Sequence, residues 1–175
     1  MGRLFPFKKP VFTLSCPPFG EVRARVCSKG VYDKIQYLLT TGSGDISEIM
    51  GEIPVENLPG NICLTYTTCF EFLTNYRNAV EKYCEENIDI FGIPKKEEFE
   101  TEEPVRLPLV TVSERLVYEH TGINFREIDE LDILDYRLLL ADAMKWRILQ
   151  RQDGKGREYL NECYDCMHKN SDIFG

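Results

Sequence analysis

The sequence predicts an α+β fold, predominantly α-helical, in which an N-terminal β-hairpin packs on a helical bundle. Three observations predict it: period-two alternation between Phe12 and Val26, a switch to helical spacing from Val31 onward, and a segment from Asp132 to Gln150 that is apolar on nearly every side. At 175 residues with 43% apolar content, the chain is long enough to build one hydrophobic core.

Phe12, Leu14 and Cys16 fall on one strand face, Pro17-Pro18-Phe19-Gly20 breaks the run, and Val22, Ala24 and Val26 alternate again with Arg23 and Arg25 outward. Val31, Ile35, Leu38 and Leu39 then take helical spacing until Gly42-Ser43-Gly44. Asp45 and Glu48 have capping-box spacing ahead of Ile46, Ile49 and Met50, which predicts a helix of about two turns. Cys69, Phe72, Leu73, Tyr76, Val80, Tyr83 and Cys84 make a long stripe opposite Glu71, Arg77, Asn78 and Glu85. Lys95 through Pro104 is too charged to fold on itself and reads as a linker between an N-terminal part, 1–94, and a C-terminal helical part, 105–175, of one compact unit.

After the linker, Thr111 and Glu114 again have capping-box spacing, Leu116, Val117 and His120 follow, and Gly122 suits the position just past a helix end. Asn124 through Glu130 reads as a turn or helical bridge. Asp132 is placed to cap the next helix, whose polar strip is confined to Asp135, Asp142 and Lys145. Asp153-Gly154-Lys155-Gly156 then turns the chain into a closing helix carrying Tyr159, Leu160, Cys163, Tyr164 and Met167. The long helices from about Thr67 and Asp132 are expected to form the main core contact.

Charge and composition narrow the function. A net charge of −8 opposes a general affinity for phosphate backbones, so nucleic acid is not an expected partner. No apolar run approaches the roughly 20 residues of a membrane span, and the basic start MGRLFPFKKP lacks a following apolar region, so no membrane partner is expected and the cytoplasm is the expected location. Seven scattered cysteines read as reduced thiols, with Cys69 and Cys84 as core residues. Thr41-Gly42-Ser43-Gly44-Asp45 lacks the Gly-Lys-Ser/Thr ending of a phosphate loop. His120 and His168 belong to no nucleophile–base pattern, and the chain reads as non-enzymatic with no catalytic residues.

Cys163, Cys166 and His168 supply ligand types that zinc accepts, making zinc the one cofactor with a sequence argument. They form a half-site, and the other ligands would come from Cys63 and Cys69 or from Cys16 and Cys27, so the favoured reading carries no metal. The carboxylates of 97–103 and 127–135 read as solvated faces or as an acidic docking surface. The surplus apolar area of 132–150 has two readings: a central core helix, or a helix shared with another subunit or partner through Tyr136, Leu140, Met144 and Trp146.

From Asn124 to Tyr164 the chain carries an acidic turn at Glu127 to Asp132, then Asp135-Tyr136, Leu138-Leu139-Leu140-Ala141-Asp142-Ala143, a Gly-containing turn and Gly156-Arg157-Glu158-Tyr159-Leu160. This stretch, about a quarter of the chain, resembles the helical C-terminal part of tail-assembly proteins of tailed bacteriophages. The resemblance implies a protein-binding role in the host cytoplasm, as a chaperone for the tape-measure protein or as a baseplate or hub component retained in the virion. It implies phage tail or baseplate proteins as partners and brings no catalytic residues. The N-terminal hairpin matches nothing in the chaperone group, and the choice between assembly factor and virion part stays open. Alternatives of other classes are the zinc-stabilised module and an acidic phage-type inhibitor that docks on a basic host protein.

Overall fold

The computed structural model describes residues 9–17, 19–57, 64–88 and 112–150, the side chains of 112 and 148–150 excepted. The fold is α+β and mostly helical, with a two-stranded antiparallel hairpin packed against helices. The linker at 95–104 and the closing helix with Cys163, Cys166 and His168 lie outside the described residues.

Strands β1, Val11–Ser15, and β2, Glu21–Arg25, pair with Phe12 opposite Ala24 and Leu14 opposite Val22. That register places Leu14, Val22 and Ala24 on the buried face, as the alternation requires. Gly20, at φ 81°, closes the turn by accepting from the Cys16 amide at 2.7 Å. The end of β2 is fastened by Tyr76, whose hydroxyl accepts from the Cys27 amide and donates to the Arg25 carbonyl, both at 2.8 Å.

Helix α1, Lys29–Thr41, starts at an Ser28 cap and stops at Gly42, whose left-handed φ of 68° directs its amide to Leu38. Helix α2, Ile46–Glu52, is capped by Asp45, which accepts from the Ser47 and Glu48 amides. Helix α3, Tyr66–Asn87, buries Cys69, Phe72, Leu73, Tyr76, Val80 and Cys84 along the stripe read from the sequence. Helices α4, Val112–Thr121, and α5, Phe125–Glu130, flank Gly122, which is in the left-handed region at φ 75°. The bridge of 124–130 is thus a short helix, held by a reciprocal capping box between Asn124 and Glu127.

Helix α6, Ile133–Gln150, is capped by Asp132, which accepts from the Asp135 amide at 2.9 Å. Its partner in the core differs from the expected one. Among the described elements, α6 packs most closely on α4, while α3 packs on α1, β1 and α2. Its α4 neighbour brings buried Leu116 and Val117 to the interface, and α3 spends its stripe on the hairpin side of the core. Between the N- and C-terminal parts the backbone itself is shared: Lys29 donates to Leu131 at 2.7 Å and Ile133 to Cys27 at 3.0 Å. Among the described residues, buried side chains from both strands and all six helices make one continuous core. Among the described residues, no helix is long and apolar enough to cross a membrane.

Candidate functional site

The four apolar residues singled out on α6 divide sharply. Tyr136, Leu140 and Met144 are buried in the chain's own core, whereas Trp146 is exposed. The first three therefore meet neighbouring helices of the same chain and offer a partner no accessible surface in this fold. Asp135 also departs from the expected polar strip. It is buried and, with Asp132, pairs with Lys9, which brings the segment ahead of β1 to the start of α6. Burial raises the Asp135 carboxyl above the usual carboxylate range, with Lys9 opposing and Asp132 adding to the shift. Asp142 remains exposed, with Oδ2 2.7 Å from His120 Nε2, and the His120 ring lies 5.3 Å from Trp146.

Beside α6, the structure assembles a charged cluster that local sequence patterns do not reveal. Lys29 is 96% buried by its 4% exposure, and its Nζ donates to Asp33 at 2.6 Å, Glu114 at 2.5 Å and Asp129 at 3.3 Å. It also lies 5.1 Å from the centroid of the Tyr136 ring. One ammonium thus ties α1 to α4, α5 and α6. Gly30 permits this approach, since a Cβ there would sit 3.3 Å from the Asp129 carbonyl oxygen.

Of the three carboxylates around the Lys29 ammonium, those of Asp33 and Asp129 are more than half exposed. Burial alone would lower the Lys29 pKa, but Asp33 and then Glu114 more than reverse it, so Nζ titrates above its ordinary value. Burial raises the Asp33 carboxyl, as do Glu114 and Asp129, against the opposing pull of Lys29. The carboxylate oxygens lie within 4.8 Å of one another, close enough to share a cation, and the cation found among them is Lys29 itself.

Tyr118 and Phe125 extend this cluster over the α4–α5 hairpin. Their rings contact at 5.0 Å between centroids, and both are exposed. Behind them Ile128 and Val117 are fully buried, so the two helices are fixed by core packing while the rings face outward. A separate cleft of about 230 Å³ opens where Pro10, Tyr83, Ile88, Leu134 and Leu138 meet.

Of the thiols that could complete the zinc site, Cys63 lies outside the described residues. Cys16, Cys27 and Cys69 are buried, as is Cys84. Burial raises Cys27 to about 11, which disfavours the thiolate that zinc requires. Compared with protein-family models, curated proteins and solved structures, the chain matches none.

Proposed function

We propose that this chain is a non-enzymatic protein-binding factor in assembly of a bacteriophage tail or baseplate, acting through the aromatic surface of α4, α5 and the exposed part of α6. The tail-assembly part of the proposal rests on the resemblance of 124–164. The binding part is supported by one observation above the rest: three exposed aromatic residues, Tyr118, Phe125 and Trp146, belong to the α4–α5–α6 unit, although most of the described apolar residues on its helices are buried. Exposed rings of this size favour contact with another protein, since each can remove a large apolar area from water on binding.

The test is solution mass by light scattering, measured on the chain alone and mixed with tape-measure and baseplate proteins from its own gene neighbourhood. A stoichiometric complex that Trp146→Ala or Phe125→Ala weakens by roughly tenfold is expected, within the range of interface aromatics. A chain that binds none of these proteins contradicts the proposal.

A further inference from the structure

The α4–α5 hairpin places two unlike chemistries in register. Residues four apart share a helix face, so Glu114 and Tyr118 line one side of α4 while Phe125 and Asp129 line one side of α5. The two helices fold back on each other through Gly122–Asn124: Tyr118 touches Phe125 near the turn, and Glu114 and Asp129 meet again at Lys29. The result is a strip with exposed rings at one end and carboxylates at the other, separated by about one helical turn. Asp33 borders the carboxylate end, and the Asp33 and Asp129 side chains are more than half exposed even while bonded to Lys29.

Resting on the protein-binding reading, we propose that this strip recognises an arginine-containing basic segment of the partner protein. A guanidinium fits both ends, because its flat face stacks on aromatic rings and its edge donates to carboxylates. The charge is complementary: Asp33 and Asp129, which share the buried Lys29 ammonium, present carboxylates that are more than half exposed to an incoming cation. A wholly apolar partner would desolvate Asp33 and Asp129 with only the shared Lys29 ammonium to compensate. A phosphate backbone would meet like charge, both in the strip and in the chain's net charge of −8.

The probes are hexa-arginine and hexa-lysine peptides, titrated calorimetrically into the full chain at 150 mM salt. Hexa-arginine is expected to bind saturably and about threefold or more tighter than hexa-lysine, reflecting stacking. Tyr118→Ala/Phe125→Ala is expected to weaken hexa-arginine about fivefold, while Glu85→Gln/Glu86→Gln, which removes two charges outside the strip, changes it less than twofold. Amide shifts of the unmodified chain provide a readout independent of the variants' folding, and they should centre on 114–130. No saturable binding, shifts centred elsewhere, or an equal loss in the Glu85/Glu86 control would overturn the assignment. Should the tail-protein complex form while hexa-arginine fails to bind, this inference falls and the protein-binding reading stands.

Discussion

Lys29 has more electrostatic influence on the fold than any local pattern around it suggests. Its partners Glu114 and Asp129 are 85 and 100 residues away, whereas Asp33 is a helical neighbour. Removing the ammonium by Lys29→Met leaves three carboxylates facing one another. The expected cost at pH 8 is about 2 to 3 kcal/mol in urea unfolding, less than for a fully buried pair because Asp33 and Asp129 reach solvent. The pH arm has a definite sign. The Asp33 carboxyl is raised in the folded chain, so folding takes up protons there and its contribution to stability grows as pH falls toward its ordinary range. The loss in Lys29→Met should therefore shrink between pH 8 and pH 5. In the parent chain, the raised Lys29 contributes fully below its ordinary value of 10.5 and loses that contribution as pH rises past it. A variant whose loss stays constant from pH 8 to pH 5 would contradict this account of the cluster.

Elements were legible in the sequence where their causes are local. Asp45, Gly42, Gly122 and Asp132 sit at helix ends where side-chain caps and left-handed glycines predict them. Alternation likewise placed Leu14, Val22 and Ala24 on the inner face of the hairpin. What covers α6 was not legible, because an all-round apolar helix states how much cover it needs and not which element supplies it; among the described elements α4, rather than α3, is its closest neighbour. The charged cluster and the aromatic strip depend on the same long-range docking. α5 shows how a short element positions them: Asn124 and Glu127 cap each other across its first turn, fixing the segment that carries Phe125 and Asp129. Asn124→Ala should cost about 1 kcal/mol and speed amide exchange in α5 before other helices respond. Unchanged exchange in 125–130 would show that the cap does not hold this turn.

At the scale of the whole molecule, the hairpin, α1 and α3 on one side and α4 to α6 on the other share a core and two backbone hydrogen bonds across the 27–29 and 131–133 segments. α6 belongs to this core, and the proposed recognition falls to the surface of α4, α5 and Trp146. Hydrogen–deuterium exchange of the chain alone, across a dilution series, tests this most directly. Amides of 136–144 should exchange as slowly as those of 72–80 in α3, at a rate independent of protein concentration. Fast exchange in 136–144 that slows with rising concentration or on adding a tail protein would mean that α6 is completed by another chain, and would contradict the account.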